Sequence, residues 1–190
     1  MCAEPWSAEA FEDRYQRAAD PWGFRSSPYE QDRYDTIMQA LAHDRYRSGF
    51  EPGCSIGELT WRLSRRCDQL RAIDVSDTAV ATARERCRGL AGVAVSVGSL
   101  ADDPTNGHDL VVLSEVGYYF SVDELDEVVD RVVAAMVPGG DLVTCHWLGH
   151  SRDHRLHGRT VQDRVGRHPS LTLRHERTHE GFAIGAWTRG

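Results

Sequence analysis

Glu51-Pro52-Gly53-Cys54-Ser55-Ile56-Gly57 is the stretch on which the fold turns, and it admits two incompatible readings. As Gly53-x-Ser55-x-Gly57 it matches the nucleophile elbow of α/β-hydrolases, with Ser55 attacking an acyl carbon. As acidic-x-Gly-x-small-x-Gly it matches the first loop of a nucleotide-type fold, where small residues let the backbone approach a ligand and a helix N-terminus faces it. The surroundings separate the two. A hydrolase needs several strands before its elbow, an oxyanion-hole segment upstream, and acid and histidine partners downstream. Here at most one short strand, Gly49 to Glu51, precedes the loop, and no HGGG-like stretch exists. The loop therefore closes strand one, and the elbow match is coincidental.

The nucleotide reading demands an acidic residue at the end of the second strand, about 20 residues beyond the glycine loop, to meet ribose hydroxyls. Arg71-Ala72-Ile73-Asp74-Val75 supplies it: Asp74 stands 21 residues after Gly53 and follows an apolar run. Its competing role is to cap the next helix, but Ser76 and Asp77 are available for that.

Working outward, residues 6–48 are polar, aromatic-rich and helical in pattern. Tyr34, Ile37, Met38, Leu41 and Ala42 share one helical face, and Asp20-Pro21 or Ser27-Pro28 are helix starts. Between 49 and 147, the runs 70–75, 93–97, 110–113 and 141–146 read as strands. They alternate with helical segments at 56–66, 78–87 and 122–137, a rhythm that implies a parallel sheet covered on both faces. After a short helix at 160–165, the runs 171–177 and 182–188 read as an antiparallel hairpin. No repeat or linker interrupts the chain, so residues 1–190 are expected to form a single domain, with 1–48 as an N-terminal helical lid and 49–190 as the core.

Composition narrows the function classes. The chain has 190 residues and 41% apolar content, enough for one globular domain that buries about 70% of its extended-chain surface. No apolar run approaches a membrane span, and Met1 to Trp6 lacks the pattern of a signal sequence, so a bacterial-type cytoplasmic location is expected. All 22 basic residues are arginine, which excludes Schiff-base chemistry and a P-loop lysine. The net charge of −7 without a basic block argues against a nucleic-acid partner. Cys2, Cys54, Cys67, Cys87 and Cys145 show no CxxC pairing and read as small apolar fillers in a reducing compartment.

Three segments together carry a family resemblance. Glu51-x-Gly53-Cys54-Ser55-x-Gly57-x-Leu59-Thr60, then Ile73-Asp74-Val75-Ser76, then His108-Asp109-Leu110-Val111-Val112-Leu113-Ser114-Glu115-Val116 resemble a class I S-adenosylmethionine methyltransferase. More narrowly, Asp20-Pro21-Trp22-Gly23-Phe24-x-x-Ser27-Pro28-Tyr29-Glu30-x-x-Arg33-Tyr34, with Glu115-Val116-Gly117-Tyr118-Tyr119, resembles the nodulation protein S family. The resemblance implies an α/β fold: a doubly wound, mostly parallel, Rossmann-like seven-stranded sheet ending in an antiparallel hairpin. It implies S-adenosylmethionine as cofactor and S-adenosylhomocysteine as product. It places Gly53, Cys54, Ser55 and Gly57 around the methionine part, Asp74 on the ribose, Val75 against adenine, and Ser99 and Leu100 near the adenine amine. Ser114, Glu115 and Val116 then end strand four beside the sulfonium. Trp22, Tyr29 and Arg33 form the lid, Arg33 pairing the cofactor carboxylate. Ser55 replaces the usual glycine, which a negative φ would accommodate, and Ser99 replaces a common acidic residue.

Methyl transfer is an in-line displacement that needs positioning and exclusion of water, plus a group to take the acceptor's proton. Glu115 is the first candidate base and His146 the alternative. Tyr118 and Tyr119 are expected to wall the acceptor. His146, His150, His154 and His157 carry i, i+4 spacings that invite a metal, but Gly149, Gly158 and Ser151-Arg152-Asp153 favour a loop lining the acceptor mouth, so no metal is expected. The resemblance implies N-methylation of an amine on a deacetylated chitooligosaccharide. The residues themselves leave open a small-molecule or oligosaccharide acceptor, an O-methyltransferase of a secondary-metabolite pathway, or S-adenosylmethionine binding without transfer.

Overall fold

A computed structural model describes residues 4–101 and 107–190. Seven strands form one sheet in the order β3-β2-β1-β4-β5-β7-β6. They are β1 (Tyr46–Pro52), β2 (Cys67–Asp74), β3 (Val93–Val97), β4 (His108–Ser114), β5 (Met136–Trp147), β6 (Leu171–Thr178) and β7 (Phe182–Arg189). The first five pair in parallel, while β7 runs antiparallel to both β5 and β6. Winding proceeds outward through β1, β2 and β3, then restarts on the other side of β1 with β4. The switch point between β1 and β4 leaves a crevice at their carboxyl ends, the place where such sheets receive ligands.

The helices are α1 (Ala8–Arg17), α2 (Pro28–Ala40), α3 (Glu58–Leu63), α4 (Asp77–Arg86), α5 (Val122–Ala135) and α6 (Gly158–Val165). Their starts are chemically marked. Ser7 and Ser76 cap α1 and α4 through their hydroxyls, and Ser121 with Glu124 closes a full capping box on α5. Ser27 precedes Pro28 at the first position of α2, as expected, whereas Asp20-Pro21 begins only a turn. There the Asp20 carboxylate accepts from the Phe24 and Arg25 amides and ties the turn to itself. Leu41 is the last buried residue of the α2 face; Ala42 lies past the helix and is exposed.

Alternation along β4 divides the core. Leu110 and Val112 face α2 and α3 with Ile37, Leu63 and Val143, whereas Val111 and Leu113 face α5 and α6 with Val129, Leu142 and Val161. Both faces are covered, which is why these strands read as continuous apolar runs. Cys54, Cys67, Cys87 and Cys145 are buried free thiols, and Cys2 lies outside the described residues. None of the described helices is long and apolar enough to cross a membrane.

At the end of the sheet opposite the crevice, the Tyr46 hydroxyl donates to the Asp141 carboxylate at 2.5 Å across β1 and β5. Asp141 is buried, with Arg174 at 3.8 Å as its counter-charge. A hydrogen bond to a charged group contributes about 1.5–3 kcal/mol. Tyr46→Phe should therefore lower stability in urea unfolding by about that amount without shifting the far-ultraviolet circular dichroism; an unchanged midpoint would show that Asp141 needs no donor there.

Candidate active site

The carboxyl ends of β1, β2 and β4 open into a cleft of about 780 Å³. Gly53, Ser55, Asp74, Val75, Ser99 and Leu100 form one side, and Glu115, Val116, Tyr118, Tyr119, Trp147 and His154 the other. Trp6, Phe11, Tyr15, Trp22, Phe24 and Tyr29 roof it. A recess of about 30 Å³ adjoins its floor, lined by Arg33, Glu51, Gly53, Cys54, Ser114 and Glu115.

The glycine loop is shaped by close approach. Gly53 has φ +71°, and a Cβ there would stand 2.1 Å from Val116 Cγ1. Gly57 has φ +83° and starts α3, where a Cβ would meet Ala83 Cα at 3.0 Å. Gly57 thus serves the packing of α3 on α4 and does not line the cleft, nor does the buried Cys54, which faces only the recess. Ser55 departs from the negative φ expected for it: its φ is +51°. Its amide donates to Asp74 Oδ2 at 2.9 Å and its hydroxyl receives the Tyr15 hydroxyl at 2.5 Å, contacts that hold a conformation an L-residue normally avoids.

Asp74 ends β2, buried, with its second oxygen accepting the Ser76 amide at 3.0 Å. Burial pushes its carboxyl up, against the pull of these amides. Each carboxylate oxygen keeps a further lone pair for a ribose hydroxyl. Glu51 lies in the recess with Oε2 lacking any hydrogen-bond partner, and burial pushes its carboxyl up to about 8. An orphaned buried carboxylate beside a glycine cradle suits the ammonium of S-adenosylmethionine, and Asp74 suits its ribose. Val75 and Leu100 line the cleft beyond Asp74 and would offer apolar surface to an adenine, and the Ser99 hydroxyl there accepts from the Ala101 amide at 3.1 Å. The residues present fit the cofactor that the fold implies.

Arg33 stands differently from expectation. It is buried and bonded to Glu30 through Nε (3.0 Å) and Nη2, and to Ser114 Oγ through Nη1 (2.7 Å). Glu115 lies 3.8 Å away. Arg33 reaches the recess only, so its main work is to fix Ser114 and Glu115 at the end of β4.

Glu115 also has left-handed backbone, φ +61°. Its carboxylate accepts the Tyr118 hydroxyl and the Trp147 amide, each at 2.7 Å. Burial pushes its carboxyl up, opposed by Arg33, Tyr118 and Trp147. With its oxygens so engaged, Glu115 is an anchor for the cleft wall rather than a free base.

His146 is not placed to act on an acceptor. It lies inside β5, which continues to Trp147, and is fully buried beneath the 3-10 turn Gly117–Tyr119. Its Nε2 accepts the Gly117 amide at 3.0 Å, and burial pushes its pKa down to about 3. His150 is exposed and does not line the cleft, and His157 caps α6 while its Nε2 meets the Leu148 carbonyl at 2.7 Å. Of the four histidines only His154 lines the cleft, stacked on Tyr118. The four therefore do not converge on one point.

Across the mouth, Arg14 of α1 pairs with Asp153 at 2.6 Å, and Glu12 accepts from the Ser76 and Thr78 hydroxyls at 2.6 and 2.5 Å. Those donors hold the Glu12 carboxyl down at about 2. Phe11 and Tyr15, one helical turn apart, face inward beside Trp22. Their i, i+4 spacing is the available sequence signal for a buried face on α1; His154 is marked by the histidine spacing, whereas no comparable signal marks Trp147 or Asp153.

A family model described as nodulation protein S matches residues 8–159. The nodulation protein S of Rhizobium tropici is 30% identical over 144 residues, covering 74% of this chain and 59% of its own length. That of Bradyrhizobium diazoefficiens is 29% identical over 137 residues, covering 70% and 64%. The chain thus spans about six-tenths of the length of these curated relatives. Among solved structures, a protein from Pseudomonas syringae assigned as a methyltransferase is 32% identical, with a TM-score of 0.75 over 85% of this chain and 99% of that one. The N-methyltransferase NodS from Bradyrhizobium japonicum WM9, in complex with S-adenosyl-L-homocysteine, is 22% identical with a TM-score of 0.85 over 96% and 98%, a likeness of fold.

The Glu51 carboxyl yields a pH test. Its folded pKa, about 8, is raised above the ordinary 4.5, so its stabilising contribution is full below 4.5 and is lost as pH rises through 8. Stability of the unliganded chain should fall between those values, and Glu51→Gln should flatten the slope in denaturant titrations run across that range. An equal slope in the variant would show that Glu51 is ionised in the fold.

Proposed function

The chain belongs to the nodulation protein S family, and on that premise we propose that it is an S-adenosylmethionine-dependent methyltransferase whose acceptor atom is the nitrogen of an amine, borne by an amino sugar. The observation that carries the reading is the cradle at the β1/β4 switch point. Gly53 leaves room beside its backbone for Val116, Glu51 presents an unpartnered carboxyl oxygen, and Asp74 closes β2 beside them. A nucleotide cofactor with a cationic amino-acid tail matches that order of groups.

Bound there, S-adenosylmethionine supplies an activated methyl group on a sulfonium. The chain's own work is then to bind, orient and exclude water. Glu51 would hold the cofactor's ammonium and Asp74 its ribose. The α1 helix, latched through Glu12 and Arg14, keeps solvent from the cleft, which strengthens every electrostatic contact inside. Glu115 fixes Tyr118 through its hydroxyl and Trp147 through its amide, so the acceptor wall is rigid before an acceptor arrives.

The wall suits an amino sugar. Tyr119, Phe120 and Trp147 offer aromatic faces, and the carboxylates of Glu30, Glu115, Glu124 and Asp153, with Arg155, make the rest of the lining polar. Aromatic faces attract an ammonium through their quadrupoles and pack against apolar sugar faces. The Bradyrhizobium japonicum protein of this fold is an N-methyltransferase, which supports nitrogen as the accepting atom. We take residues 1–190 as one catalytic domain in which the segment before β1 serves as the lid.

Mass spectrometry with isotopically labelled S-adenosylmethionine tests the reading. Incubation with a panel of amino sugars and hydroxylated or phenolic metabolites should label the amino sugars alone. Transfer confined to hydroxyls would overturn the nitrogen assignment, and tight S-adenosylhomocysteine binding without transfer to any acceptor would make the chain a cofactor-binding protein.

A further inference from the structure

The cleft wall holds five carboxylates, and each is already engaged. Asp74 accepts two backbone amides, Glu115 accepts Tyr118 and Trp147, and Glu30 is bound by Arg33. Glu124 accepts from Ser121 and pairs with Arg155, while Asp153 is held by Ser151 and Arg14. His154 is the exception: among the described residues, no side chain or backbone group hydrogen-bonds its ring nitrogens.

The ring is nevertheless fixed. It stacks on Tyr118 at 3.7 Å with planes 16° apart, and the edges of Tyr119 and Trp147 close on it at 5.4 and 5.9 Å. Its loop is tied to the same turn, since the amides of Arg155 and Leu156 donate to the Tyr118 carbonyl at 2.8 and 3.1 Å. Tyr118 in turn donates to Glu115 at the tip of β4. An imidazole clamped by three aromatic rings, with both nitrogens unspent, therefore stands in the wall that faces the cofactor cradle.

Resting on the amine-methylation reading above, we propose that His154 is the base that deprotonates the acceptor. An ammonium N–H bond breaks and its proton passes to the free imidazole nitrogen. The released lone pair forms the new N–C bond to the methyl group as the S–C bond breaks, its electron pair staying on sulfur. The imidazolium then returns its proton to solvent, leaving an N-methylammonium and S-adenosylhomocysteine. His154 is kept neutral for this role. Its partial burial, with Arg14 of α1 and His157, pushes its pKa down against the pull of Asp153. The other groups facing it are Tyr118 and Tyr119 of the 3-10 turn and the neutral His146 of β5.

The test compares the full-length chain with His154→Gln, using glucosamine as the amine probe. S-adenosylhomocysteine should bind both equally by calorimetry, because His154 lies on the acceptor side. In the S-adenosylhomocysteine complex, the ring resonances of His154 in histidine-labelled protein should shift on adding glucosamine. The kcat/KM of the wild type should fall on the acid side through one ionisation that His154→Gln lacks. The variant should lose on the order of 10²–10⁴-fold near neutral pH, and the deficit should shrink as pH rises and the free amine predominates. A wild-type rate in the variant, a deficit independent of pH, or an unmoved His154 resonance would overturn the proposal. If the wild type methylates hydroxyls but no amine, the nitrogen reading fails alone, and His154 stands provided the same acid-side ionisation disappears in the variant. If neither acceptor class is methylated, both fail.

Discussion

The Glu115 carboxylate, set between the Arg33 guanidinium, the Tyr118 hydroxyl and the Trp147 amide, ties together four parts of the chain. Arg33 comes from α2, Glu115 from the end of β4, Tyr118 from the following turn and Trp147 from the end of β5. Glu115 occupies left-handed backbone, which costs about 1–3 kcal/mol for a residue with a side chain. Two hydrogen bonds and the Arg33 ion pair on one carboxylate offset that cost, since a hydrogen bond to a charged group is worth about 1.5–3 kcal/mol. Without them the strand end would relax and the wall that carries Tyr118 and His154 would lose its reference point.

Ser55, the other left-handed residue with a side chain among the described residues, lines the same recess. Gly53 leaves room for Val116, the neighbour of Glu115, so the glycine loop and the end of β4 pack together there. A shift in either side is felt by the other at that point. The N-terminal segment spans both, with Tyr15 on Ser55, Glu12 on the start of α4, and Arg14 on Asp153. One helix thus bridges the two sides of the cleft, and its latches through Glu12 and Arg14 are charged contacts that salt and pH can weaken.

Much of this was legible in the chain. The sheet was, because strands buried on both faces become apolar runs whose spacing survives in the sequence, and Asp74 was, because its distance from Gly53 follows from one βαβ step. The site was less so. Glycine spacing could not separate Gly53, which needs room beside Val116, from Gly57, which needs room beside Ala83. Ser55 could not be seen to adopt positive φ, since Asp74 and Tyr15 hold it there from distant parts of the chain. His146 reads as the nearer base because the apolar run of β5 ends there, but β5 runs one residue further and encloses it. With both sheet faces covered, alternation says nothing about which strand residue meets the cleft. Arg33 carried the right motif and a different task, because Glu30, three residues away on the same helix, already holds it.

Calorimetric titration with S-adenosyl-L-homocysteine, for the wild type and for Asp74→Ala, tests most directly whether the β1/β4 cradle is a cofactor site. One equivalent should bind the wild type, and the affinity should vanish in Asp74→Ala while circular dichroism stays unchanged. Equal affinity in the two proteins, or no binding to the wild type, would contradict it.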